Sequence, residues 1–345
     1  MPGGITCADA VRSWSLLRFS PWVRRAGPPA GSGRLISGLA DGFYCKYARV
    51  GMTVENCRVT SNHDDGFTVH GQGSRVLAVD GPRVTVERYE HFRAGDELIA
   101  IDQGTGRPRG TAKLVDASLV RWREQIAVQL TLDTPVAGLV SWERLGGATA
   151  LPPRLDQVTS PDRRPDLIAD TAAIGSGFTI KGSTFEKHLS LSRVHAANGT
   201  IEDNTFDRAG KRAIRIGMDL FLPEVYSGSK ILIRRNQFKG IVGDTNIRIE
   251  DDLATGAKPA LGTANRDIQI LENRFEGWGE SAITVSNAEG VQIAGNDFGT
   301  GGSDVPIRLN LCKGVSIEST KPIKVATTAA TEGLNAQGPV TAVRG

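Results

Sequence analysis

Aromatic residues are scarce in this chain, at 6% of 345 positions, and the four cysteines and three methionines are scarcer still. Cys7, Cys45, Cys57 and Cys312 show no C-x-x-C spacing and no framework density, which argues against a thiolate zinc site and against a disulfide scaffold. Cys45 and Cys57 fall at apolar positions of strand-like runs and read as buried thiols. No window of about 18 uncharged apolar residues is present to span a membrane as a helix. No Lys or Arg run marks a nucleic-acid surface, because 41 basic and 38 acidic side chains leave a formal charge of +3 spread along the chain. Windows with helical periodicity are few, and the first residues do not form a charged-then-apolar export pattern.

Glycine is abundant, with 41 copies, and one strand pattern keeps returning. It has the form apolar-x-apolar-x-x-Asn-x-Phe, as in Ile201 to Phe206, Ile231 to Phe238, Ile268 to Phe275 and Val291 to Phe298. A partial copy runs from Met52 to Cys57 and a degenerate one from Phe178 to Phe185. The asparagines Asn204, Asn236, Asn273 and Asn296 are separated by 32, 37 and 23 residues, so the short gap is a bare coil and the longer ones carry loops. Units of that size cannot bury an apolar face alone and must stack. The expected fold is therefore all-β, a right-handed parallel β-helix. Asn56 and the four later asparagines are expected to form one internal ladder, each closing a strand before a bend, since a short amide can bond local backbone.

A second strand follows each bend, as in Phe67-Thr68-Val69, Ala213 to Ile216, Asn246 to Ile249, Ala282 to Val285 and Pro306 to Leu309. Alternation buries Ile214, Ile216, Ile247, Ile249, Ile283, Val285, Ile307 and Leu309. It turns Thr68, Arg215, Arg248, Thr284 and Arg308 outward in one strip, a place to hold an extended ligand. Ala40-Asp41-Gly42-Phe43 recurs 24 residues later as Asp64-Asp65-Gly66-Phe67, which sets Asp41 beneath Asp65. Three carboxylates thus share one small region, and Lys46 and His70 occupy equivalent positions beside them.

The organisation divides as follows. Residues 1–33 match no coil, and the chain is expected to be a shortened or misassigned piece of a longer β-helix. Residues 34–71 hold the first coils and the acids. Residues 72–145 carry dense short strands separated by turn signals such as Asp80-Gly81-Pro82, which suits a small antiparallel barrel inserted in a coil. A linker spans 146–170, further coils fill 171–320, and 321–345 read as a small polar tail.

Ala40 to Phe43, Val54 to Cys57, His63 to Gly71 and the barrel bearing Phe92 to Glu97 together resemble glycoside hydrolase family 110 over roughly residues 35 to 320. The resemblance implies an inverting α-1,3-galactosidase on a right-handed β-helix with a barrel insertion and no metal or other cofactor. It implies Asp64 as general acid, with Asp41 and Asp65 sharing the base role on water. Lys46, His70, Arg215 and Arg248 are the candidate substrate-binding residues, and a galactose-terminated glycan is the implied partner. A secreted or periplasmic location follows only from the family's usual substrates. Whether the barrel touches substrate or serves a homodimer stays open. One departure stands out: the family's basic Arg-x-Arg-Gly stretch is replaced by Phe185-Glu186-Lys187-His188-Leu189-Ser190.

Two other classes share this fold. A polysaccharide lyase or epimerase would need a base and a neutralised uronate, with Lys46 and Arg49 as candidates. A non-catalytic glycan-binding β-helix would keep the acids without turnover.

Overall fold

A computed structural model describes residues 18–19 as backbone only, and residues 41–87, 91–147, 164–190, 192–241, 243–252, 265–328 and 330–344 in full. Every helix or strand element among them is a strand. Most pair in parallel at a spacing of one coil. Thr179–Lys181, for instance, lies between Thr53–Glu55 on one side and Ala197–Glu202 on the other, in register Ile180↔Val54 and Ile180↔Ile201. The stack is a parallel β-helix, built from one 18-stranded and one 6-stranded sheet.

Its interior is a set of like-on-like columns. Phe185, Phe206, Phe238, Phe275 and Phe298 stack ring on ring at 5.3, 5.2, 4.9 and 5.2 Å. Ile180, Ile201, Ile233, Ile270, Ile293 and Ile317 form another buried column. The period-2 alternation of each strand places these residues inside, and the parallel register repeats the placement coil after coil.

The amide ladder runs from Asn204 to Asn296. Asn236 Oδ1 accepts from both the backbone N–H and the side-chain amide of Asn204, at 3.0 Å each, and Asn236 Nδ2 donates to Ile201 O at 2.9 Å. Asn273 and Asn296 repeat the arrangement. Asn56 is not part of it. Its register places it beside Gly182, while Ser183 and Cys57 occupy the rung, and Cys57 N donates to Ser183 Oγ at 3.1 Å. Asn56 is exposed with φ at 53°, as are the residues preceding the ladder asparagines, Asp203 at 58°, Arg235 at 53° and Glu272 at 55°. The left-handed residue and the amide rung are thus adjacent positions with separate tasks.

Six strands, Ser74–Asp80, Arg83–Val86, Glu97–Ile101, Pro108–Trp122, Gln125–Leu132 and Leu167–Asp170, join in a closed barrel with its own apolar core. Leu167–Asp170 falls in the stretch expected as linker; its Leu-Ile-Ala run was too short to read as a strand by alternation, and it pairs antiparallel with Glu97–Ile101. Two further differences lie at the ends. The expected polar tail contains Ile323–Thr327, Asn335–Gln337 and Val340–Arg344, which continue the parallel stack, with Ile323 and Val325 buried. Ile307 pairs with Val325 only 18 residues on, a coil too short to carry the Asn-x-Phe signature. Near the start, Arg18–Phe19 pairs in parallel with Thr53 and Val54, so part of the segment taken as matching no coil contributes a strand. The rest of residues 1–33 lies outside the described residues.

Candidate active site

The strands Phe43–Lys46 and Phe67–His70 pair in register Phe43↔Phe67 and Lys46↔His70, the 24-residue offset of the two acidic stretches. Asp41 and the Asp64-Asp65 doublet therefore meet where the chain turns into these strands. Gly42 N donates to Asp65 O at 2.9 Å. A Cβ on Gly42 would lie 2.4 Å from Gly66 O and 2.7 Å from Val59 Cγ1, so only glycine allows the two coils to close this tightly. The following Phe43 and Phe67 side chains anchor both turns in the core.

One oxygen from each of Asp41, Asp64 and Asp65 lies within 4.8 Å of the others. Asp65 is buried, and Asp41 and Asp64 are half-buried. The doublet is held by Asn62 Nδ2, which donates to Asp65 O at 2.6 Å and Asp64 O at 3.0 Å. Asp64 Oδ1 accepts from the Asp65 N–H at 3.0 Å. Asp65 Oδ2 accepts from Thr68 Oγ1 at 3.3 Å and pairs with Arg193 Nε at 2.8 Å.

Burial, and after it the charge of Asp65, pushes the Asp41 carboxyl up from 3.8 to about 7; Thr68 and Arg193 pull the other way. A negative Asp65 this close disfavours the charged form of Asp41, which therefore keeps its proton to higher pH. Arg193 stays charged: although burial opposes its charge, Asp65, Glu224 and Asp219 around it raise its pKa. The trio is spaced to share a cation, and Arg193 already brings positive charge to it.

Arg193 is the residue that sequence reasoning missed. It lies in the outward column Thr68, Arg193, Arg215, Arg248, Thr284, Arg308, fixed by successive strand registers. Its strand, Ser192–His195, has the same alternation as Ile214–Ile216 one coil later, and that repeat was the available signal. The altered stretch at Phe185 to Ser190 ends just before this cationic rung.

The four expected substrate-binding residues divide. Lys46 is half-buried, its Nζ 4.8 Å from the Tyr47 ring centre. His70 is buried, with Nε2 3.0 Å from Tyr44 Oη, and burial lowers its pKa to about 4, so the ring is neutral at physiological pH. Arg215 is also buried, donating to Met218 O at 3.1 Å and Asp219 Oδ2 at 3.2 Å. Arg248 pairs with Asp244 at 2.8 Å and with Glu250. The strip expected to be open is thus closed at Thr68 and Arg215, both buried, and the chain after Ile216 takes the Arg215 guanidinium at Met218 and Asp219. His70 and Arg215 are both buried and held by protein groups, His70 by Tyr44 and Arg215 by Met218 and Asp219. Arg248 stands one rung beyond Arg215, held by its own acidic partners.

No protein-family model matches the chain. Alpha-1,3-galactosidase A of Bacteroides thetaiotaomicron is 29% identical over 125 residues, which make up 34% of this chain and 22% of that protein. The chain therefore spans about a fifth of that relative's length. Among solved structures, the Gp54 tailspike of Acinetobacter baumannii bacteriophage AP22, in complex with A. baumannii capsular saccharide, overlays at a TM-score of 0.29 and 8% identity, covering 89% of this chain and 60% of its own. The tailspike protein gp49 from Pseudomonas phage LKA1 overlays at 0.26 and 11% identity, covering 84% and 59%. Overlays this loose say nothing about chemistry in this chain.

Proposed function

We propose that this protein is a glycoside hydrolase that removes terminal α-linked galactose, with inversion as the outcome its sequence resemblance implies. The observation that carries the reading is the meeting of Asp41, Asp64 and Asp65 within 4.8 Å, with Arg193 compensating Asp65. A glycosidic bond needs one carboxyl to protonate the leaving oxygen and another to act on the far side. Asp64, half-buried, is the general acid. Asp41 and Asp65 hold the attacking water, and a base with a pKa near 7 is well matched to that task at neutral pH. The partial likeness to a bacterial galactosidase supports the choice of sugar.

An inverting pair stands roughly 6.5–9.5 Å apart, wider than the spacing here. Asp64 therefore has to turn out of its bond to the Asp65 N–H as the sugar enters. The lyase reading draws less support, because Arg49 is committed to Asp96 at 2.9 and 2.5 Å and to Asp170 at 3.0 Å. Glycan binding without turnover remains the reading to beat, and it predicts that carboxylate-to-amide variants bind as the parent does and that no form hydrolyses.

Asp64→Asn tests the assignment. It should lower turnover at least a hundredfold on natural linkages and much less on an aryl galactoside whose phenolate leaves unaided. Equal losses on both substrates would move the acid role elsewhere.

A further inference from the structure

Glu224 belongs to no sequence motif, yet its carboxylate reaches both sides of the acid cluster. Oε2 lies 3.0 Å from His195 Nε2 and 3.7 Å from Arg193 Nη1, and Oε1 lies 3.4 Å from His70 Nδ1. From Arg193 the contact passes to Asp65 at 2.8 Å. From His70 it passes to Tyr44 Oη at 3.0 Å. Tyr44 is the strand neighbour of Thr68, whose hydroxyl bonds Asp65. Glu224, His70 and His195 are all buried, and the three charged or polar neighbours hold the Glu224 carboxyl down at about 2 despite the cost of burying it.

Glu224 comes from a loop, residues 217–228, that is fastened at its base and along its length. Asp251 Oδ1 accepts from Met218 N at 2.9 Å and from Ser227 Oγ at 3.3 Å, which ties both ends together. Gly217 turns into the loop at a φ of 132°, with Glu250 O so close that a Cβ would lie 2.1 Å from it. Asp219 and Glu224 exchange backbone hydrogen bonds at 2.8 Å. Along its outer edge, Met218, Leu220 and Val225 pack on Ile101, Leu167 and Ala169 of the barrel. Gly73 N donates to Pro223 O at 2.8 Å.

We propose that Glu224 is a positioning residue for the acid cluster: from a loop seated on the barrel, it fixes the Arg193 guanidinium against Asp65 and, through His70, the Tyr44 phenol beside it. The barrel then has a part in the site as the platform for the loop. The catalytic consequence rests on the hydrolase reading, whereas the geometry does not. A buried carboxylate present only to satisfy one histidine would need no cation near it; here the Arg193 guanidinium and a second imidazole stand within 3.7 and 3.4 Å of the same carboxylate.

Two NMR measurements test this independently of turnover. In the parent protein, nitrogen-15 spectra should show the proton of His70 on Nδ1 and that of His195 on Nε2, the nitrogens that face Glu224; the opposite tautomers would overturn the proposal. In protein labelled at aspartate carboxyl carbons, the signal lost in Asp41→Asn reports the Asp41 titration, which responds to Asp64, Asp65 and Arg193. Glu224→Asp keeps the charge but draws it back by one methylene. Its expected effect is a rise of at least half a pH unit in that midpoint, because Arg193 slackens from Asp65. An unmoved or lowered midpoint in the folded variant would overturn the proposal. If Glu224→Asp does not fold, the tautomers in the parent decide. With an active enzyme, the same variant should lose about tenfold in kcat with little change in KM. A raised midpoint in a protein that hydrolyses no galactoside would leave the positioning role standing and count against the hydrolase reading alone.

Discussion

At the scale of single residues, Asp41 carries the sharpest consequences. Its carboxyl titrates near 3.8 when unfolded and about 7 when folded. The folded state therefore holds that proton more tightly, and the group's favourable contribution is full below about 3.8 and lost as pH rises through 7. Asp41→Asn should accordingly abolish turnover while raising Tm by a few degrees at pH 8, with the gain shrinking toward pH 5; calorimetry at the two pH values checks it. In the parent, kcat/KM should rise with pH through a limb near 7 as Asp41 sheds its proton. A flat profile between pH 5 and 8 would remove Asp41 from the base role. The acids themselves were legible in the sequence, because the doublet and its earlier copy stand one period apart and the register honours that period. Glu224 was not legible, since it reaches the site from a loop whose path is set by barrel packing, not by any repeat. Arg193 lay between these cases: its strand repeats the pattern, but Ser192 replaces the aliphatic residue that marks the other copies.

At the scale of elements, the coil depends on rungs. The Asn236 side chain accepts two hydrogen bonds and donates two inside the core, so Asn236→Ala leaves several buried groups without partners, each costing about 1–3 kcal/mol. Asn56→Ala should cost about 1 kcal/mol or less, because Asn56 is exposed and serves only a left-handed bend. Urea denaturation of the two variants separates the roles, and equal losses would contradict the placement of Asn56 outside the ladder. The recurring Asn was easy to see in the sequence. Which of two adjacent positions bends and which bonds was not, since at Val54 to Cys57 the asparagine has moved one place early and a cysteine fills the rung.

At the scale of the whole molecule, one parallel stack carries the candidate site and continues through Val340–Arg344, in the stretch the sequence reads as a tail. Deleting residues 321–345 should uncover the Ile307 and Leu309 rung, which pairs with Val325 and Thr327 and shares one core with Ile323 and Val325. Losing the fully buried Val325 and the largely buried Ile323 costs about 1.5–3 kcal/mol each, enough to lower Tm by several degrees. Thermal unfolding of the shortened form at the parent's Tm would contradict this continuation. Arg193 supplies positive charge beside Asp65, and in the proposed chemistry water attacks the anomeric carbon while the carboxyls take its proton and protonate the leaving oxygen, with no call on a metal. Turnover should therefore be unchanged by prolonged chelation, as assayed with EDTA against added calcium or magnesium. The measurement that bears most directly on the central claim is anomer-resolved proton NMR of an α-1,3-linked galactobiose incubated with the parent and with Asp65→Asn. First release of β-galactose by the parent alone is the predicted result; no release from the folded parent, or equal release from the variant, would contradict the three-carboxylate site.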